Sequence, residues 1–426
     1  MIQILLGIIF LFLVIGVPVA WALAGGALIY FAFLQERVPE LVVVHRMVSG
    51  VNSFPLLAIP FFILAGALMN AAGITDRIFD FARALVGWMR GGLGHVNIAA
   101  SVFFAGMSGA AVADAGGLGM VEIKAMRNAG YDPGFAVGIT AASSTIGPII
   151  PPSLPLVIYG VVASASIGQL FAAGLIPGFL MALALMIMVA LYARRRNYPR
   201  DERLMLRVIW FTFRRAFLSL LTPVLIIGGI LFGIFTPTEA AVAAAAYALL
   251  LGTVVYRSLT PRRLLHVSME TIETTAIVLM IVAAASIFAW ILNSLRIPQQ
   301  FAGLILSMTE NEILILLLLN AVILVVGLFM ETIAAITILV PVLLPIAIQV
   351  GMDPIQFGIV LVLNLMIGLL TPPVGMVLYV LSRVSGVPFE RCAVATLPFM
   401  VPLIIVLMLV TFVPALSMWL PSLLYR

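Results

Sequence analysis

Two stretches of this chain combine the residue types that can hold a small ion within apolar surroundings. The first reads Ser143-Ser144-Thr145-Ile146-Gly147-Pro148-Ile149-Ile150-Pro151-Pro152-Ser153. The second reads Ile367-Gly368-Leu369-Leu370-Thr371-Pro372-Pro373-Val374. Proline has no backbone N–H and clashes with the preceding turn, so each stretch must interrupt its helix. In lipid, a carbonyl freed this way needs another partner, at a cost of several kcal/mol. The carbonyl end of a stopped helix carries partial negative charge and suits a small hard cation, whereas the N–H end suits an anion such as a carboxylate. The hydroxyls of Ser143, Ser144, Thr145 and Thr371 add neutral oxygens without burying a formal charge.

The two stretches belong to a longer repeat. A shift of 221 positions lays Gly130-Tyr131-Asp132-Pro133 on Gly351-Met352-Asp353-Pro354 and Ile146-Gly147 on Ile367-Gly368. It also lays Pro151-Pro152 on Pro372-Pro373, Ser164 on Ser385 and Pro177 on Pro398, with no gap from Gly106 to Pro177. Shared Leu and Ala content does not produce a gapless register of Gly, Asp-Pro and Pro-Pro. The chain therefore reads as a duplicated unit with one broken helix in each half.

The elements that position these stretches follow from composition. The chain of 426 residues is 64% hydrophobic and 9% charged, with a mean hydropathy of +1.25. A soluble domain carries roughly a quarter charged residues, so this is an all-α polytopic membrane protein. The lone Cys392 excludes an internal disulfide framework. Residues 2–34 read as one uncleaved helix with Pro18 near its middle, 54–72 as a second span, and 74–90 as an amphipathic interfacial helix. Val96 to Met107 is too short to cross the bilayer, for which roughly twenty residues are needed. With the glycine-rich turn after it, 95–130 reads as a re-entrant hairpin, followed by the first broken helix at 133–163 and a span at 167–193. An arginine-rich cytoplasmic loop occupies 194–215, including Arg200, Arg203, Arg207, Arg214 and Arg215. The second half has spans at 216–235 and 238–256, a helix at 269–293 and a short piece near 298–309. A second hairpin (312–350), a second broken helix (353–384) and a last helix at 392–423 complete it. The units are then 1–193 and 216–426, joined by the loop.

With that loop inside, every Lys and Arg except Arg37, Arg46, Arg296 and Arg426 falls on a cytoplasmic segment. This is the positive-inside bias of a bilayer protein, and it accounts for the basic pI without invoking nucleic acid. Four crossings separate the broken helices, so they run in opposite directions and the repeat is inverted. Inverted repeats with discontinuous helices are the architecture of secondary transporters, with sites near the midplane.

The motif Gly106-Met107-Ser108-Gly109-Ala110-Ala111-Val112-Ala113-Asp114-Ala115, taken with Ile146 to Pro152 and Gly327-Leu328-Phe329-Met330-Glu331-Thr332, closely resembles the large membrane subunit of TRAP transporters. The resemblance covers essentially the whole chain. It implies a Na⁺-driven, elevator-type importer of an organic acid (a dicarboxylate, a sugar acid or a sialic-acid-like molecule) in a bacterial inner membrane. It also implies two partners, a small membrane subunit and a periplasmic substrate-binding protein. Carried over, one Na⁺ site uses Ser108, Gly147, Ile150 and Pro152, and the other uses Gly327, Thr332, Gly368, Thr371 and Val374. Most of these ligands are backbone carbonyls. The family often has a second small hydroxyl two places after Ser108, where this chain has Ala110.

The substrate-facing candidates are Asp114, Ser143, Ser144, Thr145, Ser166, Arg296, Glu331 and Asn364. Several have a plainer reading. The three hydroxyls of 143–145 can bond back to the preceding turn. Asp114 can cap the returning arm of its hairpin, and Glu331 is innocuous if it lies at the interface. Arg296 can anchor a helix end, and Glu239 is an ordinary acid of a helix's first turn. His45, His95 and His266 have no ligand spacing, so no transition-metal site is expected. The nearest rival reading is a stand-alone Na⁺/carboxylate or Na⁺/H⁺ exchanger. An intramembrane enzyme would need a nucleophile–base pair, His-Glu-x-x-His or facing acids, and none is present.

Overall fold

A computed structural model describes residues 2–33, 41–196, 198, 205–309 and 311–425, and all regular structure among them is helical. The chain opens with α1 (Ile2–Val14), α2 (Val19–Phe33), α3 (Leu41–Val51), a 3₁₀ turn (Phe54–Leu57), α4 (Ala58–Ala71) and α5 (Ile74–Val86). The first hairpin is α6 (Gly92–Ser108), α7 (Ala111–Gly116) and α8 (Leu118–Asn128), and the first broken helix is α9 (Pro133–Ser144) with α10 (Leu154–Val162). Then follow α11 (Ile167–Arg196), α12 (Leu206–Leu231), α13 (Pro237–Leu250, prolonged by a π turn), α14 (Pro261–Ser294) and α15 (Ile297–Met308). The second hairpin is α16 (Glu312–Gly327) and α17 (Thr332–Gln349), and the second broken helix is α18 (Pro354–Gly368) with α19 (Met376–Ser385). The chain closes with α20 (Phe389–Phe412) and α21 (Ala415–Leu424). Seven helical segments among the described residues are long and apolar enough to cross a membrane.

Four expectations require correction. Residues 2–34 are not one helix. Gly16 takes φ +86° and Pro18 lacks a donor, so α1 turns back along α2, with Gly26 against Ile9. Arg207, Arg214 and Arg215 are not in a loop but on the exposed face of α12, because long arginine stems cover apolar helix surface while their heads reach water. Arg37, Arg200, Arg203 and Arg426 lie outside the described residues. The 269–293 helix starts earlier, at Pro261, where the Thr260 hydroxyl accepts from the Arg263 N–H at 3.3 Å. The last helix is split at Val413–Pro414 into α20 and α21.

The helices pack as two groups. In one, α13 lies along α4, and α14 runs past α2, α3 and α4. In the other, α9 and α18 both pack on α20, α16 covers α18, and α11 backs α20 and α21. The groups meet where α14 faces α17, and α5 bridges α12 to α6. Large apolar side chains point outward at four-residue steps along α11, at Phe179, Leu183, Ile187 and Leu191. This is an apolar stripe on the outer face of a helix long enough to cross a membrane.

Candidate ion and substrate site at the helix breaks

Each broken helix stops where its prolines remove donors. At the first break, prolines 148, 151, 152 and 155 cannot serve the carbonyls of Ser144, Gly147, Pro148 and Pro151 in the i→i−4 ladder. Ser153 repairs part of this, donating its hydroxyl proton to the Pro148 carbonyl and capping α10 through the Leu156 N–H at 3.2 Å. At the second break, Pro372 and Pro373 deprive the carbonyls of Gly368 and Leu369. Gly368 recovers a shorter bond from the Thr371 N–H, 3.0 Å. The Pro151–Pro152 and Pro372–Pro373 peptide bonds are both cis.

Both hairpin tips rest on a break. Gly109 takes φ +59°, and a Cβ there would lie 2.6 Å from the Pro152 carbonyl oxygen, so the tip backbone sits directly on that carbonyl. Gly327, the last residue of α16, lies against Gly368. A Cβ on Gly368 would fall 2.7–2.9 Å from three backbone atoms of Gly327. The structure thus brings Pro152 beside the first tip and Gly327 beside Gly368, while Ile150 is placed against Gly178 of α11. Thr332 opens the returning arm of the second hairpin, and Thr371 and Val374 lie in the second break. The Ser108 side chain is outside the described residues. Behind the first break stand Gly174 and Gly178 of α11, against Ile149 and Ile150. Sequence reasoning missed this pair, although its four-residue spacing is the small-residue pattern of close membrane packing.

The hydroxyls mostly point back. Ser144 and Thr145 donate to the carbonyls of Ala141 and Ala142 at 2.8 and 2.6 Å, which leaves their oxygens as acceptors only. Thr371 does the same with Ile367, at 2.9 Å. Ser143 and Asn364 instead tie each broken helix to its hairpin. The Ser143 hydroxyl donates to Asn97 Oδ1 at 2.6 Å, and Asn97 Nδ2 donates to Glu122 and Thr140 at 2.6 and 2.8 Å. In the second half Asn364 Nδ2 donates to the Asn320 backbone and side-chain oxygens, both 2.9 Å away. Ser143 and Asn364 are themselves 221 positions apart. Asn97 and Asn320 were not among the sequence candidates, because an asparagine within a hairpin arm carries no signal until its partner is known.

The acids divide. Asp114 is buried in α7 beside Ser101 and makes no capping hydrogen bond. Glu331 caps α17, accepting from the N–H groups of Ile333 and Ala334 at 2.9 and 3.2 Å. Glu239 forms an exposed capping box with Thr236. Ser166 and Arg296 are exposed in turns, before α11 and after α14, and neither is part of a break.

The two breaks differ in exposure. Residues 143–153 are all buried, whereas Pro372 and Pro373 are exposed, as is Phe329 at the second tip.

The family model for the DctM component of tripartite ATP-independent periplasmic transporters matches residues 6–416. The chain belongs to the DctM family. It is therefore the large permease subunit of a TRAP transporter, a multi-pass inner-membrane protein of transport and not an enzyme. Membership implies a small membrane subunit and a substrate-binding protein as partners. The sialic acid TRAP transporter large permease protein SiaM of Vibrio cholerae is 50% identical over 96% of this chain and 95% of its own length. The C4-dicarboxylate large permease DctM of Pseudomonas aeruginosa is 39% identical over 93% of each. In fold, this DctM-family chain is similar to the YdaH transporter of Alcanivorax borkumensis, with a TM-score of 0.66 at 14% identity over 89% and 88% of the two chains.

Proposed function

We propose that this subunit imports an organic acid on an inward Na⁺ gradient, with Na⁺ held where each hairpin tip meets its broken helix. The observation that carries this reading is the seating of both tips on both breaks: Gly109 on the Pro152 carbonyl and Gly327 on Gly368. One Na⁺ takes oxygens from Ser108, Gly147, Ile150 and Pro152. The other takes them from Gly327, Thr332, Gly368, Thr371 and Val374. These donors fit the ion, because they are neutral oxygens and proline has removed the i→i−4 partner of two of them, Gly147 and Gly368. The carboxylate class follows from relatives named for sialic acid and C4-dicarboxylates.

Alternating access follows from the two helix groups. The hairpins and broken helices move as one body against α2–α4 and α12–α14, in the elevator manner, with the inverted repeats supplying equivalent sites in opposite orientations. A closed first break beside an exposed second one is the asymmetry such a cycle requires of any single state. A periplasmic protein delivers the substrate and the small membrane subunit completes the frame. The test is reconstitution with an inward Na⁺ gradient and a panel of organic acids. Uptake is expected only with all three components and Na⁺. Equal uptake by this chain alone would overturn the tripartite reading, and uptake indifferent to Na⁺ would overturn the coupling.

A further inference from the structure

A cavity of about 570 Å³ lies in the seam between the two helix groups, walled by α3 and α14 on one side and by α17 and the end of α10 on the other. It is distinct from the helix breaks. Its α3–α14 wall carries Arg46, whose guanidinium lies 5.5 Å from the centre of the Trp290 ring. One turn beyond Trp290 on α14, the exposed amide of Asn293 also faces the cavity.

The opposite wall supplies acceptors. Thr337, Pro341 and Pro345 line the cavity from α17, at four-residue steps along one helix face. A proline leaves the carbonyl four residues before it without its helical donor. The carbonyls of Thr337 and Pro341 are therefore released on the face where the two proline rings stand. In a membrane helix such groups require another donor, from a neighbour, water or a ligand. The Thr337 hydroxyl cannot supply it, because it already donates within its own helix to Ile333 and Ala334, at 3.0 and 2.9 Å. The walls thus present a cation and an amide on one side, with carbonyls that proline has removed from the i→i−4 ladder on the other. All the segments that line this cavity fall on the outer half of the bilayer in the charge-derived topology.

We infer that this cavity is the outer reception site for the substrate, where Arg46 takes the carboxylate and the α17 carbonyls take N–H or O–H groups of the same molecule. The inference rests on the organic-acid reading above and deepens it, since it names the residue that recognises the acid group. Arginine suits the task because its planar fork meets a carboxylate with two parallel hydrogen bonds. The cation–π contact with Trp290 draws the guanidinium toward the cavity wall. A substrate with a carboxylate at one end and hydroxyl or amide groups further along spans both walls. A bare monocarboxylate meets only one.

The experiment uses the complete three-component transporter in liposomes with a fixed inward Na⁺ gradient. Sialate, a C4-dicarboxylate and a sugar acid are tried with the unaltered protein, and the best-transported acid is then compared with its methyl ester as a competitor. In Arg46→Gln the half-saturating concentration is expected to rise roughly ten- to a hundredfold, as for loss of a charged hydrogen-bond pair. Discrimination between acid and ester should narrow, while the Na⁺ dependence stays as it was. Arg46→Lys keeps a point charge without the fork and should recover part of the loss. An Arg46→Gln transporter with the original half-saturation and the original preference for acid over ester overturns the reception site alone. If no acid is taken up by the unaltered assembly, the organic-acid reading falls and the reception site falls with it.

Discussion

Replacing Gly368 by alanine adds one methyl group at the point where the second hairpin tip touches the second helix break. The new Cβ would lie 2.7 Å from the Gly327 carbonyl carbon, 2.8 Å from its oxygen and 2.9 Å from its Cα. Ordinary contact begins near 3.4 Å, so the two backbones must separate by at least about 0.7 Å, a shift comparable to those that overpacking imposes on a filled core. All three clashing atoms are backbone, so no rotamer change relieves them. Overpacking of this kind costs roughly 1–3 kcal/mol. If the Gly327 and Gly368 carbonyls serve one Na⁺, that displacement takes one of them out of coordination. The half-saturating Na⁺ concentration should then rise about tenfold or more. Gly228, on α12, is the matched control, because a Cβ there meets nothing within 4 Å. Initial uptake is measured against Na⁺ for Gly368→Ala and Gly228→Ala at equal membrane expression, together with the melting temperature of each purified protein. A Gly368→Ala variant with the unaltered Na⁺ curve and melting temperature would refute both the tight approach and the ion site built on it.

Thr371→Val removes a hydroxyl whose proton is already committed to Ile367, so only an acceptor oxygen is lost; a cation bound there should weaken by on the order of 1–3 kcal/mol. Ile150→Val leaves its carbonyl in place and should be nearly silent, so equal Na⁺ curves for the two variants would remove the Thr371 side chain from the site. Asn97→Ala takes a donor from buried Glu122 and an acceptor from Ser143. It should cost about 1–3 kcal/mol of stability, read as a lower melting temperature in detergent, and an unchanged melting temperature contradicts the tether. An inside-negative potential should accelerate uptake by about 2.3 kcal/mol of driving force per net charge per 100 mV; a rate indifferent to potential at constant Na⁺ gradient excludes net positive movement.

Proline and glycine made the central architecture legible. Both breaks open where runs of Pro and Gly interrupt apolar helix, and both hairpin turns fall in the Gly106–Gly117 and Gly327–Thr332 segments, because these residues act through local backbone geometry. The same local logic explains the first error. Gly16 and Pro18 together turn the chain back on itself, whereas Pro18 taken alone reads as a kink in one long helix. Charge misled at Arg207, Arg214 and Arg215, where a basic cluster resembles a loop but continues a helix.

What stayed hidden depends on pairs of elements distant in the chain. Asn97 becomes a tether only when α9 brings Ser143 within 2.6 Å of it. Gly174 and Gly178 matter only because the first break lies on α11. Arg46 shows the limit most clearly. In sequence it is one of a few basic residues outside, a matter of topology. It becomes a candidate for recognition once α3 lies along α14, the guanidinium lies over the Trp290 ring, and Pro341 and Pro345 of α17 face it across a cavity. Carbonyls freed from the helical ladder can be read along one stretch of sequence, because the proline that frees a carbonyl sits four places from it. A chamber between two groups of helices is assembled from side chains nearly three hundred residues apart, and nothing local marks it.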